Sequence, residues 1–472
     1  MGINFLLNSI TCNDLIMNKE IININFQDNP ELFRANLIVN SGKNLFLTGK
    51  AGAGKTYFIK WLIQEMEKRK KKVVVAAPTG IAAINIGGQT LHSLFGLPTS
   101  PYLPDTDAMG EYLPASKRNP SVLSPFNKPK INLIKNLELL IIDEISMVRA
   151  DVLDMMSDAL CCFRNSSEPF GGVQLLMVGD LFQLPPVAGT EWSLLSQKYD
   201  TEFFFSSLAL KKCNFECVQL NKIYRQNDPD FIRILNNIRL GFYSEKDFLE
   251  LNTRYFPRQY GEVFNTNEMV LCSRKDEASR INETGLLSVP GNTRSYVAQV
   301  DGKFPTTRMP CEGTLNLKIG AKVMITENNW EDGYQNGTLG IVESMTDTSI
   351  IVRLLDDGRC VSVYIKQWEN IEYSYKNGQI VQNTVGTCEQ FPLRLAWAIT
   401  IHKSQGLTFD QVTINPSCIF AEGQLYVALS RARSIQGIRL LSRITKSHLK
   451  ISGPVLDFYL RVFGAEIMLS DM

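Results

Sequence analysis

A glycine-rich segment, GKAGAGKT (residues 49–56), lies between the apolar run NLFLTG and a stretch with apolar residues at helical spacing from Tyr57 to Met66. It fits the pattern G-x-x-x-x-G-K-[ST], and its flanks predict a strand, a loop and a helix. The glycines allow backbone N–H groups to surround a phosphate, and the helix start adds positive potential. The alternative, a chance glycine-rich turn, does not account for the strand and helix on either side. The sequence therefore predicts a nucleotide-binding α/β domain.

The loop and a second acidic motif supply the predicted phosphate chemistry. Lys55 is expected to meet the β- and γ-phosphates of ATP, and Thr56 to bind Mg²⁺. In LIIDE (140–144), Asp143 at a strand end is expected to hold Mg²⁺, and Glu144 to orient and deprotonate the attacking water. The remaining predicted cofactor-binding residues of the loop are Gly49, Ala51, Gly52, Ala53, Gly54 and Tyr57. These two elements alone also suit a nucleotide kinase or a GTPase.

Alternating strands and helices continue from about residue 44 to 210. The segments 44–49, 73–78, 137–144 and 173–180 are nearly continuous apolar runs, as expected of strands buried on both faces of a parallel sheet. A helix is predicted over 150–163. Residues 98–129 contain seven prolines and predict an insertion of loops with a short hairpin. This pattern is typical of a doubly wound α/β domain.

A second α/β unit is predicted from residue 213. Its elements are CVQLNKIYR, a helix over 229–240, strands at 269–273, 411–416 and 438–442, a helix LRLAWAITIHKSQG (393–406) and a helix around GQLYVALSRA. Between about 300 and 385, alternating apolar segments joined by NG and DG turns predict a small all-β domain. The sequence thus predicts two α/β domains with an insertion in each.

Composition excludes several classes of protein but does not select a partner. The 49 basic and 48 acidic residues nearly balance, so any nucleic-acid site must come from local sorting of charge. Ten cysteines without a C-x-x-C pair, and only three histidines, disfavour a structural zinc site. The first sixteen residues make a poor signal peptide, and no run is apolar enough to span a bilayer. We expect a cytoplasmic protein without a membrane partner, nucleoid-associated if bacterial.

Further motifs follow in a fixed order. GDLFQLPPV (179–187), IYRQ (223–226), ITIHKSQGLTFDQV (399–412) and YVALSRARS (426–434) resemble motifs III to VI of superfamily 1 helicases. APTGIAAINIGGQTLHSLFG (77–96), PFGG (169–172) and GTCEQFPLRLAWAITIHKSQGLTFD (386–410) resemble segments of the petite-integration-frequency (Pif) helicases and their bacterial and phage relatives. The resemblance covers about residues 44 to 442, and an ordered series is more specific than one motif.

The resemblance implies an α/β fold with two RecA-like parallel-sheet domains and a 5′-to-3′ motor on single-stranded DNA, similar to RecD and Dda helicases. The cofactors are ATP and Mg²⁺. The insertion is expected to be a wedge or pin, and the all-β domain a Src-homology-three-like β-barrel. The expected boundaries are an N-terminal extension (1–25), the first domain (26–97 and 130–212), the insertion (98–129), the second domain (213–300 and 386–445), the barrel (301–385) and a C-terminal segment (446–472).

The same resemblance assigns residues around the nucleotide. Arg225 and Arg431 are expected to be arginine fingers supplied from the second domain when the cleft closes. Gln183 is expected to sense the γ-phosphate or its water, with Gly406 nearby. Arg433 is interpreted as an ordinary surface residue. The adenine-reading glutamine of this superfamily is represented by Gln27, which lies further upstream than expected. Glu31 takes the nearer position, so selectivity for adenine stays open.

DNA contacts are likewise implied by the resemblance. The first domain is expected to use Thr79, Gly80, His92 and Ser93, and the second Thr387, His402, Lys403 and Ser404. Phe95 is expected either to stack on a base or to fill the core. Trp397 is predicted to be core, and Trp330 and Tyr334 are weaker candidates for strand contact. The expected partners are single-stranded DNA and forked or tailed duplexes, with R-loops and G-quadruplexes as open alternatives, bound by a monomer.

Two other functions fit parts of the sequence. A DNA-stimulated ATPase that translocates and displaces proteins would not unwind duplexes. Deleting residues near Asp105 to Glu111 should then distinguish the two, because a helicase would lose strand separation but keep ATPase activity. An NTP-binding regulatory or kinase module would hydrolyse ATP without regard to added oligonucleotide, and the order of the motifs disfavours it.

Overall fold

In a computed structural model of the protein, residues 24–98, 100–107, 112–114, 128–257, 268–305, 309–329, 332–334, 336–376 and 379–470 are described. The first lobe is a doubly wound α/β domain, as predicted. Its elements are α1 (Pro30–Asn40), β1 (Asn44–Gly49), α2 (Lys55–Lys68), β2 (Val73–Ala77), α3 (Gly80–Asn85), β3 (Gln89–Thr90), α4 (Leu91–Phe95), α5 (Lys128–Asn136), β4 (Leu139–Ile142), α6 (Ala150–Arg164), β5 (Gln174–Val178), α7 (Trp192–Leu195), α8 (Leu208–Lys211) and β6 (Phe215–Leu220). The strand order is β3-β2-β4-β5-β1-β6, parallel throughout.

Strand β6 corrects the expected start of the second domain at residue 213. It pairs in parallel with β1 from Asn44↔Phe215 to Gly49↔Leu220, so it is the edge strand of the first sheet. The reason is burial: Val218 and Leu220 pack into the core around α1 and α2. The chain therefore leaves the first lobe only after residue 220.

The second lobe begins with α9 and contains a large β insertion. Its elements, in chain order, are α9 (Pro229–Leu240), α10 (Glu245–Asn252), β7 (Met269–Cys272), α11 (Lys275–Ser288), β8 (Arg294–Val297), β9 (Gln299–Gly302), β10 (Thr314–Leu317), β11 (Lys322–Ile325), β12 (Leu339–Met345), β13 (Ser349–Leu354), β14 (Cys360–Tyr364), β15 (Lys366–Lys376), β16 (Gln379–Gln390), β17 (Leu393–Leu395), β18 (Ala398–Thr400), β19 (Val412–Ile414), α12 (Gln424–Leu429), β20 (Ile438–Leu440) and α13 (Gly453–Ser470). Its parallel sheet has the order β18-β7-β19-β20.

The helix expected over residues 393–406 is wrong. Residues 393–395 and 398–400 are strands, and the second of them pairs in parallel with β7. An unbroken apolar run fits a buried strand and a buried helix equally well, so its periodicity did not distinguish them. Trp397 lies between the two strands and is buried, as the core interpretation predicted.

The small β domain differs in extent from the expected 301–385. Its main sheet is an antiparallel array of order β14-β13-β12-β11-β17, so its last strand lies beyond residue 385. Strands β15 and β16 instead form a long hairpin with β9. The hairpin reaches the first lobe, where the Tyr373 hydroxyl donates to the Gly87 carbonyl oxygen at 3.2 Å.

The C-terminal helix α13 returns to the first lobe. Val455, Phe458 and Tyr459 join the core that includes β1 and α6, and the Phe458 ring stacks on Phe205 with centroids 4.4 Å apart. The second lobe is therefore connected to the first by the chain at both of its ends, after β6 and before α13.

The insertion at 98–129 is described only at its base. Tyr102 and Tyr112 both donate to the carboxylate of Asp158 on α6. Residues 108–111, at the expected tip, lie outside the described residues. Within the described ranges, no helix is long and apolar enough to cross a bilayer, and no cluster of three potential metal ligands occurs.

Candidate nucleotide and DNA site

The phosphate loop owes its shape to glycines that no other residue could replace without strain. Gly52 and Gly54 have φ of 79° and 86°, and Gly54 caps the N-terminus of α2. A Cβ atom at Gly52 would lie 2.5 Å from the Cβ of Arg225. The loop therefore directs its backbone amides and the start of α2 toward one point, as an anion site requires.

The Lys55 side chain lies beside this loop, near the negative charges of Asp180 and Glu144. The Lys55 Nζ atom donates to the carbonyl oxygens of Gly49 and Lys50 at 2.7 and 3.1 Å. Burial lowers the pKa of Lys55, although the negative charges of Asp180 and Glu144 oppose the shift. The ammonium group lies beside the loop that would hold a triphosphate.

The acidic pair of LIIDE is strained and poorly solvated. Burial, followed by the charge of Glu144, raises the pKa of Asp143 to about 7. Burial also raises the pKa of Glu144, against the effect of Lys55. Glu144 has φ 52° and ψ 44°, a conformation uncommon outside glycine and frequent at functional sites. A bound cation would relieve the repulsion between the two carboxylates.

Both predicted arginine fingers line the same cleft as Lys55 and Glu144. The Arg225 guanidinium donates to the carbonyl oxygens of Ser430 and Gly406 at 3.4 and 3.1 Å. Burial lowers the pKa of Arg225, and burial together with Arg225 lowers that of Arg431. Two cations with depressed pKa values thus face the phosphate loop, where a triphosphate would neutralise them.

The origin of Arg225 differs from the expectation of a second-domain residue. It lies on the connection after β6, and the Tyr224 N–H beside it donates to the Gly52 carbonyl oxygen at 3.0 Å. This arginine is therefore attached to the phosphate loop itself. Arg431, which follows α12, belongs to the second lobe and is fully buried.

The turn after β5 holds Gln183 at the seam between the lobes. The Gln183 Nε2 atom donates to Asp180 at 3.3 Å, and its Oε1 atom accepts from Gln405 of the second lobe at 3.4 Å. Gly406, next to Gln405, has φ 80° and lines the same cleft. Arg433 lies at the cleft rim and forms an ion pair with Asp410 at 3.0 Å.

An exposed aromatic residue beside the phosphate loop, Tyr224, was not among the residues predicted from the sequence. Tyr224 is 54% exposed, and its ring lies 3.6 Å from the position of a Cβ on Gly54. Its hydroxyl accepts from the Asn29 side-chain amide at 2.9 Å. Gln27 is exposed two residues earlier, in a 3₁₀ turn over Phe26–Asp28, and Tyr57 is exposed on α2.

Residues expected to bind DNA come from both lobes. Thr79 caps α3 and shares a cleft with His402 and Lys403, which are exposed. Partial desolvation by the surrounding protein lowers the pKa of both His402 and Lys403. This cleft also contains Asp143, so the groups expected to bind DNA adjoin the predicted nucleotide site.

The other candidates lie away from that cleft. Gly80 begins α3, His92 and Ser93 lie half-buried on α4, and Thr387 lies half-buried on β16. Within the described residues, none of these four lines the cleft of Thr79 and Lys403. Gly80 is next to Thr79 in the chain, whereas the other three lie on α4 and on the long hairpin.

Three candidates are buried. Phe95 is fully buried in the first core, so the structure places it as a core residue. The Ser404 hydroxyl donates to Ile401 at 2.8 Å and has no solvent exposure, so this side chain supports its own turn. Tyr334 is also buried, and Trp330 lies outside the described residues.

Sequence reasoning missed three residues that join the lobes. Asp180 and Tyr426 lie within the quoted motifs GDLFQLPPV and YVALSRARS, and Arg239 lies on α9. The Asp180 carboxylate accepts from Arg239 at 2.9 Å and from the Tyr426 hydroxyl at 3.2 Å. Asp180 and Tyr426 could have been suggested by their positions as polar residues within the two motifs, but Arg239 carries no sequence signal.

Two parallel-sheet lobes with a phosphate loop and an acidic pair on one, and an arginine presented by the other, define a P-loop NTPase of RecA-like architecture. Comparison with known proteins narrows this class. The PIF1-like helicase model matches residues 30–248, and the UvrD-like helicase C-terminal domain matches residues 395–434. The ATP-dependent DNA helicase Pif1 of Campylobacter jejuni is 33% identical, over 88% of this chain and 94% of its own length. The chain belongs to the PIF1-like helicase family.

Relatives and solved structures extend the match. The ATP-dependent DNA helicase PIF1 of Danio rerio is 35% identical over 92% of this chain, and the chain spans only 64% of that relative's length. Pif1 from Bacteroides sp in complex with ADP-AlF4 has a TM-score of 0.84 at 42% identity, covering 94% of this chain and 99% of the other. Bacteroides Pif1 bound to ssDNA has a TM-score of 0.65 at the same identity, covering 94% and 98%. Over the whole chain, the structure is therefore more similar to the complex with ADP-AlF4 than to the complex with ssDNA.

Proposed function

We propose that the chain is an ATP-dependent DNA helicase that steps 5′ to 3′ along single-stranded DNA and hydrolyses ATP between its two lobes. The observation that carries this proposal is the shared cleft. Lys55 and Glu144 of the first lobe face Arg431 and Gly406 of the second across one cavity. A phosphoryl group there would be held by both lobes, so its cleavage would release one from the other.

The residues present fit ATP with Mg²⁺. Thr56 and Asp143 line one cleft and offer only oxygen atoms, the ligands that Mg²⁺ prefers, leaving room for phosphate oxygens. When bound, the ion would neutralise charge on the phosphates. Glu144, whose pKa burial raises, would then accept a proton from the attacking water. Arg225, Arg431 and Gln183 would contact the γ-phosphate side.

The exposed Tyr224 ring, whose hydroxyl is held by the buried Asn29 amide, offers a surface for the base without a fixed set of groups that would distinguish adenine from guanine. Gln27 would read adenine only if it turned toward this surface. We therefore propose ATP as the working nucleotide and expect GTP to support part of the activity.

Single-stranded DNA would cross the cleft that Thr79 shares with His402 and Lys403. Hydroxyl and basic groups at such a site bind the phosphate backbone, which suits a motor that moves without regard to sequence. Because these groups adjoin Asp143, occupancy of the DNA path would be sensed at the nucleotide site. The direction of movement is proposed from the motif resemblance to RecD and Dda helicases.

A strand-separation assay with single-stranded tails at either the 5′ or the 3′ end tests the proposal. We expect unwinding only from the 5′ tail, together with ATP hydrolysis that single-stranded DNA stimulates. The Glu144→Gln protein should bind nucleotide but lose turnover by about 10²–10⁴-fold. Unwinding only from 3′ tails would contradict the direction, and hydrolysis indifferent to DNA would contradict the function.

A further inference from the structure

The turn that carries Gln183 is clamped by the second lobe through one buried carboxylate. Asp180 has no solvent exposure, and its Oδ1 atom accepts from Nε and Nη2 of Arg239 at 3.1 and 2.9 Å. Its Oδ2 atom accepts from the Tyr426 hydroxyl at 3.2 Å and from Gln183 Nε2 at 3.3 Å. Asp180 therefore joins two second-lobe residues to the glutamine that faces the γ-phosphate side.

Tyr426 uses its hydroxyl twice. It donates to Asp180 and accepts the N–H of Ala51 in the phosphate loop at 3.1 Å. Burial raises the pKa of Tyr426, so the hydroxyl stays protonated and donates its hydrogen bond to Asp180. A single second-lobe side chain thus contacts both the phosphate loop and the turn of Gln183.

The backbones of the two lobes are also in close contact at this turn. A Cβ atom on Gly423, at the start of α12, would lie 2.3 Å from the carbonyl oxygen of Gln183 and 2.6 Å from that of Phe182. The Arg239 guanidinium also lies 4.4 Å from the centre of the Phe182 ring. The second lobe therefore touches this turn through backbone, ring and carboxylate, and the turn cannot move without one of these contacts changing.

We propose that Tyr426 and Arg239 are positioning residues that set the orientation of Gln183 through Asp180. ATP would then be cleaved efficiently only while the second lobe contacts this turn. The inference rests on the proposed function and deepens it. Among the described residues that line the cleft of Lys55 and Arg431, neither Tyr426 nor Arg239 occurs, so both are expected to act on the rate of cleavage more than on nucleotide affinity. Loss of the Tyr426 hydroxyl would leave Gln183 free to turn away from its position.

A double-mutant cycle on the full chain tests this inference. Tyr426→Phe keeps the ring and removes one hydroxyl; we expect kcat for DNA-stimulated ATP hydrolysis to fall about tenfold. KM for ATP and the affinity for a fluorescent ADP analogue should stay within about twofold, since the phosphate contacts remain. The variant Tyr426→Phe/Gln183→Ala should have the kcat of Gln183→Ala alone, because one acts through the other.

The matched control is Tyr199→Phe. Tyr199 is also buried and donates to a buried carboxylate, that of Asp154 at 2.9 Å, but this pair lies within the first lobe. It should leave kcat unchanged. If Tyr426→Phe does not fold, Arg239→Lys serves the same cycle, since lysine keeps the charge but loses the paired hydrogen bonds.

The outcomes are distinguishable. Losses that multiply in the double variant, an unchanged kcat in Tyr426→Phe, or an unchanged kcat in Gln183→Ala would each overturn the inference while the proposed function stands. A wild-type chain without DNA-stimulated hydrolysis would instead overturn the proposed function, and the inference with it.

Discussion

The two lobes meet at two places that differ in their charges. One is the nucleotide cleft lined by Arg225 and Arg431, and the other, which we call the pivot, is the contact of Arg239 and Tyr426 with Asp180. On the cleft side, Arg225 and Arg431 donate to backbone carbonyl oxygens and a serine hydroxyl, and burial lowers the pKa of both. On the pivot side, Arg239 pairs with Asp180 at 2.9 Å with neither side chain exposed. Burial disfavours the charge of Arg239, but the Asp180 carboxylate more than offsets this and raises its pKa.

Because the two sides differ in their charge balance, nucleotide binding is expected to change the cleft side more than the pivot. Cations whose pKa values are lowered by burial attract a polyanion, so the cleft side is expected to gain stability when a triphosphate enters. The pivot side already holds its counter-charge and would lose stability if the lobes separated there. We therefore expect a hinge motion that opens the cleft while the contact between Asp180 and Arg239 is kept.

The largest expected effect on stability separates the two sides directly. Arg239→Met would leave the Asp180 carboxylate buried without its partner, which should cost about 3–5 kcal/mol of unfolding free energy. Arg225→Met breaks hydrogen bonds of 3.1 and 3.4 Å to carbonyls beside an open cleft and should cost less than about 1 kcal/mol. Urea unfolding of the nucleotide-free chain measures both. Equal losses would mean that the two sides do not differ as described.

A smaller effect concerns pH on the cleft side. Folding raises the pKa of Asp143 from the ordinary aspartate value of 3.8 to about 7, so the folded state holds more protons between these values. Rising pH therefore destabilises the nucleotide-free protein across this window, by at most about 1.4 kcal/mol per pH unit. Asp143→Asn removes the titration of this carboxyl group and leaves that of Glu144.

We expect the stability of Asp143→Asn relative to wild type to increase from about pH 4 to about pH 7 and then to level off. The exposed Asp200→Asn serves as the control and should show no such increase. Thermal unfolding across this pH range provides the measurement. A constant difference between Asp143→Asn and wild type would contradict the proposed burial of two carboxylate charges.

The smallest expected effect concerns the DNA path. Lys403→Ala should weaken binding of an oligothymidine and lower the slope of log affinity against log salt by about 0.7, one phosphate contact on a single strand. Affinity for a fluorescent ADP analogue should not change. Lys211→Ala, on the surface of the first lobe, is the control. An unchanged slope for Lys403→Ala would remove this residue from the path.

Much of the cleft could be predicted because each of its first-lobe groups lies in a short motif directly after a strand. The loop around Lys55 and the pair Asp143–Glu144 follow strands β1 and β4 of one parallel sheet, and strand ends of such a sheet lie side by side. Pro229–Leu240 was also predicted with its observed limits, since Pro229 begins the helix and Gly241 ends it.

The pivot could not be predicted, because Arg239 lies in none of the motifs. Arg239 and Asp180 are 59 positions apart, and an arginine near the end of an amphipathic helix looks like a surface residue. The strands at 393–395 and 398–400 were missed for another reason: an apolar run has no period when all of its faces are buried. Tertiary burial decided both cases.

The central claim is that a second-lobe group completes the chemistry that the first lobe begins, and Arg431→Ala tests it most directly. We expect kcat for DNA-stimulated ATP hydrolysis to fall by about 10²–10³-fold, because charge at the γ-phosphate loses its partner. Affinity for a fluorescent ADP analogue should be retained, and Arg433→Ala at the cleft rim should change kcat little. A near wild-type kcat in Arg431→Ala would contradict the account.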